Sequence, residues 1–214
     1  MNKKNSITSF FLIVIPLFMV SCLRMPSDIN NWINIDNIKD IKGTYHFLSD
    51  DGIKIYLPES FKKYSIAEYQ HLLDSLTTKE DYQLEIKRLQ HLKQMKGNFY
   101  IFFEEDTRST YTINTMPYMP LNKQDAQYIL GLISMNNKKV SKKTDLEFTK
   151  ITAKYNSNSN VQIFKAIHRI DNYKKKSTSF NSSYVVSSNK KTIYVQLLTG
   201  FEANFDLFLQ KMIL

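Results

Sequence analysis

The chain has 214 residues, of which 43% are hydrophobic and 13% aromatic, with five glycines, five prolines and a single cysteine. This balance is typical of a globular protein and excludes collagen-like and intrinsically disordered chains. The formal net charge is +9 at pH 7. One cysteine cannot form an intramolecular disulfide, so a small scaffold held by disulfides is excluded as well.

The amino-terminal segment has the parts of an export signal. Lys3 and Lys4 precede an uncharged, largely apolar stretch, residues 10–21, that ends directly before Cys22. A basic start, a short apolar run and a small residue before the cleavage point define such signals. An uncleaved membrane span is the alternative, but spans need about 20 apolar residues and this run has about half of that. A second alternative leaves Cys22 as an ordinary buried thiol, with cleavage elsewhere.

The motif Met19-Val20-Ser21-Cys22 resembles the processing site of bacterial lipoprotein signal peptides, although that family usually has leucine where Met19 stands. The resemblance implies that residues 1–21 are a signal peptide and that Cys22 receives diacylglycerol. A third acyl chain on the new amino terminus usually follows. Leu23, and not aspartate, comes next, which by the same resemblance favours the outer membrane, facing the periplasm.

The remaining chain is predicted to consist of a tether and one domain. Residues 22–42 are rich in polar side chains and form the predicted lipid-anchored tether. Residues 43–214 form the predicted single α+β domain, a length that allows a substantial core. It opens with alternating segments at residues 43–48 and 53–57, joined by an Asp-Asp-Gly turn, which is a hairpin signal.

Helix signals and further strand signals follow the hairpin. Ser65 with Glu68 has the spacing of a capping box, and Thr78 is the expected cap of a second helix that runs to about residue 96 before Gly97. Asn122 is the expected cap of a third helix that ends near residue 136. Thr199 with Glu202 repeats the capping-box spacing and predicts a terminal helix. Strands are predicted at residues 98–103, 109–115, 146–155, 161–170, 184–186 and 192–198.

This order of elements predicts an α+β fold in which helices flank a twisted antiparallel sheet. The opening hairpin, which ends in Leu57-Pro58-Glu59-Ser60-Phe61, and the helix expected after residues 194–198 resemble the Mog/PsbP-like family of α/β/α sandwiches. Binding and assembly roles occur in that family, and it has no shared catalytic set. The resemblance therefore implies a fold without naming a function.

Basic residues are concentrated in one part of the chain. Residues 138–194 contain 13 lysines and arginines against three acidic residues. We expect possible contacts with an anionic partner at two clusters, which comprise Lys174, Lys175, Lys176, Lys190 and Lys191. The alternative is that these lysines, together with Lys138, Lys139, Lys142 and Lys143, lie in solvated hairpin loops. The expected partners are the membrane, an envelope protein or an anionic envelope polymer. Nucleic acid is not an expected partner.

The sequence contains no recognisable catalytic, metal or cofactor motif. The four histidines, His46, His71, His91 and His168, have no ligand spacing, and no glycine-rich loop or nucleophile elbow occurs. Residues 104–106 could pair with Asp50 and Asp51 as a cation site or as the acid and base of glycoside cleavage, although solvated turns are the commoner explanation. An aromatic stripe could line a groove or pack in the core; it comprises Phe99, Tyr100, Phe102, Phe103, Tyr111 and Tyr118.

We therefore expect a lipid-anchored envelope protein that binds or assembles and is not an enzyme. One alternative is an envelope hydrolase with dispersed catalytic residues. Another is an immunity-type lipoprotein that protects its own cell from a toxin. The sequence alone does not separate these possibilities.

Overall fold

The computed structural model describes residues 41–214. The signal segment, Cys22 and the predicted tether up to residue 40 lie outside the described residues. The described part of the chain begins with strands β1 (Thr44–Leu48) and β2 (Ile53–Leu57), an antiparallel hairpin with the predicted turn. Gly52 adopts a φ of +61° in that turn, a conformation that glycine takes without steric cost.

Two helices follow the short strand β3 (Lys62–Tyr64), which the sequence analysis did not predict. Helix α1 (Ile66–Leu76) has the predicted capping box: the Glu68 amide donates to Ser65 Oγ, and the Ser65 amide donates to Glu68 Oε2. Helix α2 (Lys79–Lys93) begins at the predicted cap, Thr78, and ends three residues earlier than predicted.

The rest of the chain adds six strands and two helices. Strands β4 (Asn98–Glu104) and β5 (Ser109–Met116) pair with each other, and α3 (Lys123–Ser141) begins at its predicted cap, Asn122. Long strands follow, and each extends beyond the predicted segment. They are β6 (Leu146–Ser157), β7 (Val161–Asn172), β8 (Ser177–Ser188) and β9 (Lys191–Thr199). A short helix α4 (Asp206–Gln210) comes last.

Seven strands form one antiparallel sheet in the order β3-β4-β5-β9-β8-β7-β6. The last strand, β9, lies at the centre, because it pairs with β5 on one side and with β8 on the other. The hairpin β1-β2 forms a separate two-stranded sheet. Among the described residues, no helix is both long enough and apolar enough to cross a membrane.

Helices cover one face of the seven-stranded sheet, which we call the helix face. Tyr69 and Leu73 of α1 and Leu89 of α2 pack there against Ile101 and Phe103 of β4. Helix α3 covers the other end of the same face. Its residues Ala126, Ile129, Leu130 and Ile133 pack against Phe164, Ala166 and Val185.

The hairpin and α4 cover the opposite face, and together they form what we call the hairpin layer. The ring of His46 meets that of Phe102 at 5.0 Å, and Phe205 meets the ring of Tyr111 at 5.5 Å. Phe61 contacts both Tyr111 and Phe205 edge-on. Helices, sheet and hairpin layer therefore form three layers, with apolar side chains in both interfaces.

The prediction of a terminal helix that begins at Thr199 was wrong. Thr199 is the last residue of β9, where it pairs with Phe180, and its hydroxyl donates to the carbonyl oxygen of Phe201 at 2.6 Å. The pairing of β9 with β8 holds this residue in extended conformation. Helix α4 begins only at Asp206 and has no side-chain cap.

Two glycines allow a matched test of the backbone. Gly97 ends the segment after α2 with a φ of +104°, and a Cβ there would lie 1.5 Å from the carbonyl oxygen of Thr115. Gly131 lies within α3, where a Cβ would meet nothing within 4 Å. We expect Gly97→Ala to lower the free energy of unfolding by about 2 kcal/mol or more. Gly131→Ala should raise it by about 0.5–1 kcal/mol.

Urea unfolding of both variants measures these changes. A Gly97→Ala protein as stable as the unsubstituted chain would contradict the described path between α2 and β4.

Candidate functional site

The structure separates the two carboxylate clusters that could have formed a joint site. Asp51 accepts hydrogen bonds from Tyr100 Oη at 2.6 Å and from Asn98 Nδ2 at 3.1 Å, at the start of β4. Glu104 is the last residue of the same strand. Six residues of extended chain cover about 20 Å, so the clusters do not meet. The suggested pairing of Asp50 and Asp51 with residues 104–106 was wrong, because the β4 strand places them at opposite ends.

Two carboxylates of the second cluster, those of Glu104 and Glu105, have local hydrogen-bond partners. Glu104 accepts from the amides of Asp106 and Thr107 and from the Thr107 hydroxyl. Burial opposes ionisation of Glu104, but these hydrogen bonds from Thr107 and Asp106 hold its pKa below the usual value. Hydrogen bonds from Tyr64 and Lys62 lower the pKa of Glu105. A general acid for glycoside cleavage needs a raised pKa, so these carboxylates have the opposite character.

The two histidines on strands lie on different layers. His46, on β1, has its Nε2 buried without a hydrogen-bond partner, and His168, on β7, is 4% exposed. Burial, followed by the charge of Lys63, lowers the pKa of His46. Burial, followed by the charge of Lys150, lowers the pKa of His168. Within residues 41–214, no three His, Cys, Asp or Glu side chains lie together as metal ligands would.

Most of the aromatic stripe belongs to the core. Four of its residues are at most 7% exposed and pack between the layers; they are Tyr100, Phe102, Phe103 and Tyr111. Phe99 packs against the α1–α2 cluster, and Tyr118 is 51% exposed. An open depression of about 430 Å³ beside β3 and α1 touches Phe99 and Tyr100 at its rim. Packing is therefore the main role of the stripe.

A polar network that the sequence does not predict fastens α2 to the sheet. Arg88 donates to Glu85 from Nε and Nη2, at 2.7 and 2.6 Å, and to Gln196 Oε1 from Nη1 at 2.9 Å. Tyr69 Oη donates to Glu85 at 3.1 Å and lies 2.8 Å from Thr110 Oγ1. The network joins α1, α2, β5 and β9. No sequence signal links Arg88 with a residue 108 positions away.

A second ion pair fastens α4 to the other face of the sheet. Lys165 Nζ lies 2.8 and 2.7 Å from the two carboxylate oxygens of Asp206, and Tyr184 Oη donates to the same carboxylate at 3.2 Å. Burial, followed by the charge of Asp206, raises the pKa of Tyr184. Lys165, Tyr184 and Asp206 therefore bind one another, and these bonds hold the hairpin layer against the sheet.

The five lysines proposed as contacts for an anionic partner lie in two separate places. Lys174, Lys175 and Lys176 are in the turn between β7 and β8, whereas Lys190 and Lys191 are at the opposite end of β8, about 35 Å away along 12 residues. Lys174 and Lys175 form ion pairs with acidic residues of α2. Lys191 Nζ donates to the carbonyl oxygen of Gly52 at 2.8 Å. Their role in binding stays a prediction.

The alternative placed four further lysines in hairpin loops, and this was wrong. They are Lys138, Lys139, Lys142 and Lys143. Lys138 and Lys139 lie in the last turn of α3, and Lys142 is its C-cap. The prediction was wrong because α3 continues five residues past its expected end. Cations in the last turn of a helix interact favourably with its dipole.

The outward side of α3 carries a second apolar stripe, which we call the α3 stripe. Tyr128, Leu132 and Met135 are 69, 42 and 64% exposed. Their spacing of four and three residues places them on one side of the helix, away from the side that packs on the sheet. The stripe leads to the lysines at the end of α3. Its period is present in the sequence, but only the inward stripe was predicted.

The lowered pKa values of His46 and His168 predict how stability changes with pH. A folded-state pKa below the ordinary value of about 6.5 means that the unfolded chain binds protons first as the pH falls. The histidine contribution is therefore fully present above about pH 6.5 and is lost as the pH falls towards the folded-state pKa values. We expect His46→Gln and His168→Gln each to make the free energy of unfolding depend less on pH between about pH 7 and about pH 5.

Urea unfolding across that range measures the effect, and His71→Gln, which removes an exposed imidazole, is the control. A double variant with an unchanged pH profile would contradict the assignment.

Comparisons with known proteins bear on the fold. No family model matches the chain, and no curated protein matches it. The solution structure of cyanobacterial PsbP (CyanoP) from Synechocystis is similar, with a TM-score of 0.51 and 12% identity over 83% of this chain and 95% of that one. The Ran-binding protein Mog1p from Saccharomyces cerevisiae has a TM-score of 0.41 and 9% identity over 76 and 79% of the two chains. The predicted α+β sandwich of the Mog/PsbP-like type is confirmed as the fold of this chain.

Proposed function

We propose that this chain is a lipid-anchored protein of the bacterial envelope that binds another protein and is not an enzyme. Its anchor is the acylated Cys22, and its membrane is the outer membrane, with the body facing the periplasm. The binding surface is the α3 stripe together with the lysines that follow it. The partner is a segment with acidic and apolar side chains that belongs to another envelope protein.

The observation that carries the proposal is the exposure of three large apolar side chains in one line. A helix that only covers a sheet has polar residues on its outward side. Covering Tyr128, Leu132 and Met135 with a partner would contribute roughly 1 kcal/mol for each side chain. Contiguous exposed apolar surface of this kind is typical of interaction sites in proteins.

Charge at the end of α3 determines the chemistry of the partner. Four lysines, at positions 138, 139, 142 and 143, follow the stripe, and acidic residues return only at Asp145. A partner with carboxylates beside its apolar side chains would match this arrangement. Gly131, between Tyr128 and Leu132, leaves open space where another residue would have a Cβ. A partner backbone can approach the helix there.

The anchor rests on the signal-like segment and on the position of the one cysteine in the chain. Each buried methylene of an acyl chain contributes about 0.8 kcal/mol, so two chains retain a protein at a membrane. Tethering also raises the effective concentration of the body near other envelope proteins. A partner contact of modest area is then sufficient.

Replacement of the cysteine tests the anchor. Cells that express the chain with Cys22→Ala and are fed labelled palmitate should yield an unlabelled protein, because no other thiol is available. The same protein should leave the membrane fraction. The variant Tyr128→Ser, which leaves the signal intact, should keep both label and location. An unlabelled product from the unsubstituted chain would contradict the anchor.

Photocrosslinking in the native bacterium tests the α3 stripe. With a photoreactive residue in place of Leu132, we expect a discrete product whose crosslinked segment, identified by mass spectrometry, is acidic and apolar. Replacing both Tyr128 and Met135 by serine should lower its yield about thirtyfold, which corresponds to about 2 kcal/mol. Tyr173→Ser, which removes an equally exposed tyrosine from the β7–β8 turn, is the matched control.

Three outcomes would contradict this assignment. They are the absence of any product, a product with a second copy of this chain, and a crosslinked segment that is basic.

A further inference from the structure

The outward side of the hairpin carries aromatic side chains that the core does not use. Strand alternation directs His46 and Leu48 towards the sheet and Tyr45 and Phe47 away from it. Tyr45 is 51% exposed and Phe47 is 59% exposed. On β2, Lys54 pairs with Phe47 and Tyr56 pairs with Tyr45. We call the surface formed by Tyr45, Phe47, Lys54 and Tyr56 the outer hairpin surface.

The carboxyl-terminal residues extend this surface. Lys54 and Ile213 exchange two backbone hydrogen bonds of 2.9 and 2.8 Å, and Ile213 is 53% exposed. Lys211 Nζ lies 4.7 Å from the centre of the Tyr56 ring. The rings of Tyr45 and Tyr56 are 4.8 Å apart. Aromatic rings, an isoleucine and two lysines therefore form one continuous surface.

Lysines surround this surface more densely than acidic groups do. The lysines are Lys42, Lys54, Lys190, Lys191 and Lys211, and the nearby acidic groups are Asp50, Asp51, Glu59 and the terminal carboxylate of Leu214. Three hydrogen bonds bring these segments to the hairpin. Lys191 donates to the carbonyl oxygen of Gly52, and Lys211 donates to that of Ile41 at 3.4 Å. Asn189 donates to the Leu214 oxygen at 3.0 Å. Asp51 is directed towards Tyr100 and Asn98. The cations exceed the anions at this surface.

We infer that the outer hairpin surface lies against a phospholipid bilayer with anionic headgroups. Aromatic rings at membrane surfaces occupy the headgroup level, where an apolar body and a polar edge are both accommodated. Lysines beside them are attracted to anionic lipids by about 1 kcal/mol each near the surface. Long lysine side chains also reach from an apolar surface to the headgroups. The inference rests on the proposed anchor for its biological setting.

The path of the chain supports this orientation. Ile41 lies at the outer hairpin surface, because its carbonyl oxygen accepts from Tyr56 Oη at 3.0 Å and from Lys211 Nζ. Eighteen residues lie between Cys22 and Ile41, which allows a span of at most about 65 Å. The α3 stripe is on the opposite side of the seven-stranded sheet. Contact between the hairpin layer and lipid would therefore leave the α3 stripe accessible to a protein partner.

The test uses the mature chain, residues 22–214, with Cys22→Ala, so that acylation plays no part. Flotation with vesicles of phosphatidylglycerol and phosphatidylethanolamine should show binding that weakens as salt rises. Phosphatidylcholine vesicles should bind at least tenfold less. Replacing Tyr45 and Phe47 by serine should lower binding to the anionic vesicles about tenfold. Tyr173→Ser is the matched control and should bind like the parent.

A second experiment detects membrane binding that is too weak to measure by flotation. The single thiol of unsubstituted Cys22 is coupled to a maleimide lipid in the same two kinds of vesicle, and hydrogen exchange is measured for residues 44–57. Slower exchange on anionic vesicles than on phosphatidylcholine is expected. The inference is overturned if residues 44–57 exchange equally on the two kinds of vesicle. It is also overturned if the variant with serine at positions 45 and 47 binds and exchanges like the parent. Neither experiment depends on acylation in cells. A negative result in these experiments is therefore distinct from a failure of the proposed anchor.

Discussion

The fold depends on a central sheet that has to be covered on both faces. Four consecutive residues of β4, from Tyr100 to Phe103, are buried, although successive side chains of a strand point to opposite sides. Large apolar side chains therefore face both ways. Helices α1 to α3 cover one face, and the β1–β2 hairpin with α4 covers the other. Removal of either layer would expose aromatic side chains to water at a cost of about 1.5–3 kcal/mol for each.

Ion pairs then fix how the covering elements sit on the sheet. Glu85 and Arg88 connect α2 to Gln196 on the helix face, and Asp206 connects α4 to Lys165 on the opposite face. Partly buried pairs of this kind cost more to break than to replace by apolar residues, so they select one arrangement of the layers. Each covering layer has one side that does not contact the sheet, and these exposed sides include the outward sides of α3 and of the hairpin.

Local signals in the sequence were sufficient for most elements but not for their ends. Ser65, Thr78 and Asn122 each begin a helix, because capping is a contact within a few residues. Thr199 has the same spacing to Glu202, yet it lies in β9, because pairing with β8 is a long-range contact that the spacing does not reveal. The three-residue strand β3 has no periodic pattern to detect.

The candidate surfaces were only partly predictable for the same reason. Lys174 and Lys190 were both identified from the sequence, but only the paired strands show that they lie at opposite ends of β8. The exposure of Tyr45 and Phe47 follows from alternation once the covered side of the hairpin is known. The Arg88 network depends on contacts between distant segments and left no sequence signal.

These surfaces give the proposed protein an orientation, with the hairpin layer at the lipid and the α3 stripe directed away. Spin labels on new cysteines in place of Phe47 and, separately, Leu132 test this orientation most directly in the membrane fraction, because the acyl chain proposed for Cys22 would block its thiol. We expect the label at position 47 to collide mainly with lipid-soluble oxygen and the label at position 132 to collide mainly with a water-soluble nickel complex. Equal exposure of both labels to the aqueous reagent would contradict it.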